Sequence, residues 1–184
     1  PVECLSYYIL KETGHDPKKV IGFGNILDSE RLRLIIAKKL NKQQESIECL
    51  VIGEHGEEMI PVFSNCRVNG KQLSDFPFDQ NEINQELRRR GKDIISSTGG
   101  TQFGPARHIY SLIRTIINDE KKTLPISFYV AQNDFYNLNE VFISLPAKVG
   151  KNGIEEVSHL NLSVDEREQL ISIADKLQKI QKSL

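Results

Sequence analysis

Residues 141–149 and 154–160 are two apolar, strand-like runs separated only by Gly150-Lys151-Asn152-Gly153. A connection that short cannot carry a crossover, so the two runs pair antiparallel as a hairpin. The chain around that hairpin alternates helical and strand spacing. Ser163 with Glu166 three residues on forms a capping box ahead of a terminal helix, whose apolar face includes Leu170, Ile173, Ala174 and Leu177. Leu32, Ile35, Ile36 and Leu40 give an amphipathic helix over residues 27–40, with Asp28 in its first turn. Val2, Leu5, Tyr8 and Ile9 share one face of an earlier helix that Gly14 stops. Residues 47–52 read as a buried strand and 59–63 as another, with Pro61 at its start or on an edge. Val68-Asn69-Gly70-Lys71 is a turn. Helices over 83–97, ending in Gly99-Gly100, and over 104–118, with Pro105 in the first turn, precede strands at 125–130 and 141–149. With no repeats and no linker, this order predicts one α+β domain, a mostly antiparallel twisted sheet packed with helices.

The 184 residues carry a net charge of −1, too weak a field to argue for nucleic acid or an anionic membrane as partner. No apolar run approaches membrane-spanning length and no secretory signal is present, so the expected location is cytoplasmic. Cys4, Cys49 and Cys66 are few and widely spaced, which reads as reduced thiols rather than a disulfide frame. His15, His108 and His159 do not cluster with one another or with the cysteines at metal-ligand spacing, so no metal is expected. Gly22-x-Gly24 lacks the third glycine and the preceding strand of a dinucleotide cradle, and Gly91-Lys92-Asp93 lacks the rest of a phosphate loop. Arg88-Arg89-Arg90 reads as a solvated helix end, where positive charge suits the dipole.

Chemistry concentrates at Gly53-Glu54-His55-Gly56-Glu57 and Leu27-Asp28-Ser29-Glu30-Arg31. The first sets an imidazole between two glycines after a strand, where close approach of another group is possible. The second places a carboxylate and a guanidinium one helical turn apart, on one face. Each alone has a plain structural reading: a turn histidine, a helix-start carboxylate, a surface cation. Together they are what proton transfer on a carboxylate-bearing substrate needs: a base, its orienting aspartate and an arginine fork. No nucleophile elbow or metal set supports a His-based hydrolase instead.

Asp28-Ser29-Glu30-Arg31, followed by Gly53-Glu54-His55-Gly56-Glu57 and Pro61-Val62, resembles the lactate/malate dehydrogenase family, specifically its C-terminal, substrate-binding domain. The resemblance runs collinearly from Pro1-Val2 to the last helix, so residues 1–184 correspond to that one domain; the family usually has Asp in place of Glu57. It implies an oxidoreductase moving a hydride between a nicotinamide and a 2-hydroxy or 2-oxo acid. His55 would be the general acid–base, Asp28 its orienting carboxylate, Arg31 the grip on the substrate carboxylate and Thr101 a substrate-pocket residue. The family's Asn-Pro-Val element would be cut just before Pro1. The nucleotide-binding domain with its NAD or NADP cradle would then lie outside this chain, so the isolated chain is expected to bind no dinucleotide and to be inactive. A homo-oligomer, dimer or tetramer, is implied. Arg33 matches a position that some lactate dehydrogenases use for a phosphorylated activator, but Glu48 stands where the companion cation would be and repels phosphate. The run Gly99-Gly100-Thr101-Gln102-Phe103-Gly104-Pro105-Ala106 is similar to malate dehydrogenases of the lactate-dehydrogenase-like branch, favouring malate. The alternatives are an L-lactate dehydrogenase and a non-enzymatic, dehydrogenase-derived interaction module.

Overall fold

The computed structural model describes residues 2–184; Pro1, and with it the start of the Pro-Val match, lies outside the described residues. The main sheet is an antiparallel meander of β6 (Lys122–Asn133), β7 (Leu138–Gly150) and β8 (Gly153–Val157). β6 and β7 outrun the expected 125–130 and 141–149 because a local turn closes their far ends. There Asn133 accepts from the Tyr136 N–H and Asn137 takes a left-handed conformation. The β7–β8 pairing is the anticipated hairpin, with Gly153 at φ +89.

Two helices pack on this sheet. α1 (Val2–Thr13) lies against β6 and β7, and α5 (Val164–Lys182) against β7. The Ser163–Glu166 capping box starts α5, which buries Leu170, Ile173, Ala174 and Leu177. On α1 the expected face is reversed. Glu3, Cys4 and Ser6 are buried, while Leu5, Tyr8 and Ile9 are exposed. Helical spacing identifies an apolar stripe but not what covers it.

A second, smaller core gathers around α2 (Ile26–Leu40), whose Leu32, Ile35 and Ile36 are fully buried. α3 (Gln80–Thr98) contributes Ile83 and Leu87 to it; α4 (Phe103–Ile117) follows after the glycine break. The strand expected over 47–52 is two short ones that leave in different directions. β1 (Ile47–Glu48) joins β4 (Arg67–Val68) and β5 (Lys71–Gln72), whereas β2 (Val51–Ile52) pairs with β3 (Ile60–Pro61). β3 is shorter than the expected 59–63 because the chain turns at Phe63–Asn65 into a 3-10 helix. Arg88-Arg89-Arg90 sits inside α3 rather than at its end, since the helix continues to Thr98 and is capped by left-handed Gly99. The fold is α+β with antiparallel sheets, and β2 is its pointer: the chain leaves it through Gly53, bridged to Ser144 of β7.

Candidate active site

Asp28 lies in the first turn of α2, where the exposed backbone N–H groups favour a negative charge. It is buried to 2% side-chain exposure, and both of its oxygens are used. Oδ1 takes Arg31 Nη1 at 3.2 Å, one turn along the helix; Oδ2 takes His55 Nδ1 at 2.6 Å. A carboxylate only accepts, so Nδ1 carries the hydrogen and Nε2 is left to exchange protons. Among the described residues nothing hydrogen-bonds Nε2, and the His55 side chain is 35% exposed. The hydrogen bond to Asp28 raises the pKa of His55 above the ordinary histidine value, as do the charges of Asp28 and Glu3. Burial and Arg31 oppose this without reversing it.

Four attachments fix the segment that carries His55. Gly53 exchanges backbone hydrogen bonds with Ser144 at 2.8 and 3.0 Å and holds φ at +90, a conformation that favours glycine. The Val51 N–H donates to Ser29 Oγ at 2.8 Å, tying β2 to α2 beside Asp28. The His55 N–H donates to Glu3 Oε1 at 3.1 Å, and the same oxygen accepts from Ser127 Oγ at 2.7 Å. On the far side, Arg88 donates to the carbonyls of Glu57 at 2.7 Å and Met59 at 3.1 Å, while Lys92 pairs with Glu57 at 2.6 Å. Glu3 was not singled out from the sequence, and Arg88 was read there only as part of a solvated helix end. Each resembles an ordinary helix-surface charge, and no local signal separates them from one.

Arg31 reaches in two directions. Besides Asp28 it faces a cavity of about 500 Å³ that it shares with Leu27, Leu34, Arg90, Thr101 and His108. Thr101 is therefore brought to Arg31, whereas His55 and Asp28 are not among the residues lining that cavity. A Cβ added at Gly91 would lie 3.7 Å from Arg31 Nη1, in ordinary contact, so α3 passes beside the guanidinium there. Glu30 contacts His108 Nε2, and His108 Nδ1 donates to the Gly104 carbonyl at 2.7 Å, fastening α4 to α2 at the cavity edge. A part-buried imidazole–carboxylate hydrogen bond, a carboxylate shared with a guanidinium and an adjoining cavity reached by that guanidinium can bind an organic anion and move a proton on it.

Gly22 and Gly24 do not form a nucleotide cradle. Gly22 bridges Ser127, and a Cβ on Gly24 would lie 2.6 Å from the Ser127 backbone nitrogen, so this glycine pair serves the packing of the chain against β6.

Residues 26–184 match the family model described as lactate/malate dehydrogenase, alpha/beta C-terminal domain. The chain is 33% identical over 177 residues to a malate dehydrogenase of Halobacterium salinarum, a match covering 96% of this chain and 58% of that protein. It is 35% identical over 172 residues to an L-2-hydroxycarboxylate dehydrogenase (NAD(P)(+)) of Methanocaldococcus jannaschii, covering 90% of this chain and 54% of that protein. In three dimensions it is similar to the crystal structure of Cryptosporidium parvum malate dehydrogenase, with a TM-score of 0.91 and 31% identity. That match takes in 100% of this chain and 61% of the other. The chain thus spans little more than half the length of the curated relatives it matches.

Proposed function

The chain belongs to the lactate/malate dehydrogenase family, and from that membership we propose that it is the catalytic, substrate-binding domain of an NAD(P)-dependent dehydrogenase that interconverts malate and oxaloacetate. The observation that carries this reading is Asp28 shared between His55 and Arg31. Arg31 holds the substrate carboxylate beside the reacting carbon, a task for which its planar fork suits two parallel hydrogen bonds. Nε2 of His55 takes the hydroxyl proton in oxidation and returns it in reduction, and Asp28 stabilises the imidazolium formed. Thr101 completes the substrate pocket from the α3–α4 break. The nicotinamide, when bound, supplies the hydride acceptor or donor.

The relatives' names support the substrate and cofactor classes, one being a malate dehydrogenase and another using NAD(P)(+). The relatives are longer, this chain covering 58% and 54% of their length, and we assign cofactor binding to a further, nucleotide-binding domain of the full protein. The outward Leu5, Tyr8 and Ile9 of α1 offer it an apolar surface. On α4, Phe103, Tyr110, Ile113 and Ile117 share an exposed apolar face, which supports a homo-oligomer. No helix among the described residues is long and apolar enough to cross a membrane; a cytoplasmic location belongs to the proposal.

Steady-state kinetics of the full-length enzyme test it. Oxaloacetate should have the higher specificity constant, and a higher value for pyruvate overturns the malate assignment. His55→Asn should lower kcat by about 10²–10⁴-fold, the usual contribution of a positioned acid–base group. Undiminished turnover removes His55 from the chemistry.

A further inference from the structure

The loop that presents His55 begins and ends at cysteines. β1 and β4 pair with Ile47 opposite Val68 and Glu48 opposite Arg67, so the next step of the same register sets Cys49 opposite Cys66. Burial alternates along both strands. Ile47, Cys49, Cys66 and Val68 face inward, while Glu48 and Arg67 face solvent. The Asn69 N–H donates to the Ser46 carbonyl, which makes that pair hydrogen-bonded; counting along the ladder, Cys49 and Cys66 fall at a non-hydrogen-bonded position. The Cys66 carbonyl agrees, turning away to accept from the Leu73 N–H of the neighbouring segment. At such a position the Cα atoms stand about 4.5 Å apart, with the side chains at their closest across the ladder. Disulfides span about 4.4–6.8 Å between Cα atoms, a range that includes this ladder spacing. The Cys49 side chain is the largest influence on the Cys66 thiol, and all three cysteines of the chain are free.

We propose that Cys49 and Cys66 are a redox site, forming under peroxide a cross-strand disulfide that closes residues 50–65, with His55 inside the loop. Cys49, 5% exposed, is among the residues lining a surface cavity of about 740 Å³ with Arg33, Glu48 and Asn65, the side from which a peroxide approaches; Cys66 is fully buried. The Cys49 contact and burial push the Cys66 thiol up, so it stays protonated at neutral pH and does not react first. The Cys49 sulfur attacks the peroxide O–O bond, giving a sulfenic acid and one water. The Cys66 sulfur then displaces the hydroxyl from that sulfur. The S–S bond forms, and a second water leaves with the proton of Cys66. Two thiols are oxidised by two electrons and one hydrogen peroxide is reduced. Because Arg33 Nη1 donates to the Cys49 carbonyl at 3.4 Å, the linked pair is also anchored to α2, two residues beyond Arg31.

The purified protein is exposed to hydrogen peroxide, its remaining thiols are blocked with iodoacetamide, and its peptides are mapped by mass spectrometry with and without dithiothreitol. The expected product is a dithiothreitol-sensitive pair joining the Cys49 and Cys66 peptides, lighter by two hydrogens than the two thiol forms, with Cys4 recovered alkylated. In Cys66→Ala, dimedone should trap the Cys49 sulfenic acid; no trapping in a folded variant overturns the order of reaction. Recovery of wild-type Cys49 and Cys66 as separate alkylated or over-oxidised peptides overturns the site, as does a Cys49–Cys4 link, and this measurement needs no variant to fold. Amide hydrogen exchange over residues 53–57 should slow in the oxidised protein; unchanged exchange removes the constraint on the His55 loop.

Discussion

Asp28 Oδ2 and His55 Nδ1 meet at 2.6 Å, although 27 residues separate them and nothing local forces the contact. The helix start delivers one partner and the exit from β2 the other. Ser29 holds the two elements together from the position next to Asp28. Because Asp28 also holds Arg31, the group that would carry the proton and the group that would hold the substrate share a single carboxylate.

The pH dependence follows from that contact. The folded pKa of His55 lies above the ordinary histidine value of 6.5, which approximates the unfolded chain. Its contribution to stability is therefore complete below the unfolded value and is lost as pH rises through the raised folded value. Urea titrations across this window should show stability falling with rising pH, and Asp28→Asn should flatten the fall. In the full-length protein the same change should move the alkaline loss of the proposed oxaloacetate reduction to lower pH, since the proposed proton donor is protonated His55. An unmoved pH profile would separate Asp28 from the proton transfer.

Arg31→Lys keeps the charge but removes the fork. A charge-assisted hydrogen bond is worth about 1.5–3 kcal/mol, so kcat/KM for oxaloacetate should fall by roughly one to two orders of magnitude, with the fold intact. Circular dichroism and urea midpoints check the second half of that statement.

Glu3 anchors the His55 backbone from beneath, with Oε1 accepting from the His55 N–H and the Ser127 hydroxyl. Its Oε2 is buried and has no partner among the described residues. Glu3→Ala strands both donors and should cost about 1–3 kcal/mol in chemical unfolding. Glu3→Gln keeps an acceptor oxygen for both and removes the buried charge, so it should cost less than alanine and also lower the His55 pKa by NMR titration. Equal losses for the two variants would show that the carboxylate charge, not the acceptor, holds the segment.

Gly53→Ala tests the exit from β2. At φ +90 a Cβ is strained whatever the space, about 1–3 kcal/mol for a non-glycine residue, while its nearest neighbour, Ile60 Cδ1 at 3.5 Å, is only in ordinary contact. The loss should appear as a lower urea midpoint and, in the full-length enzyme, as reduced kcat through the displaced His55.

Local chemistry was enough to read the hairpin at Lys151-Asn152-Gly153, the capping box at Ser163, the amphipathic α2 and the trio Asp28, Arg31 and His55 as candidates. Turn residues, caps and the one-turn spacing of Asp28 and Arg31 act within a few residues, and their meaning survives without the rest of the chain. The tertiary structure decided what depends on distant partners. It set the outward face of α1, because an apolar stripe does not say what covers it. It split residues 47–52 between two sheets, because the pairing strands lie downstream. It also made Glu3 and Arg88 into supports of the His55 segment, joined to it across 52 and 31 residues by hydrogen bonds that no local pattern encodes.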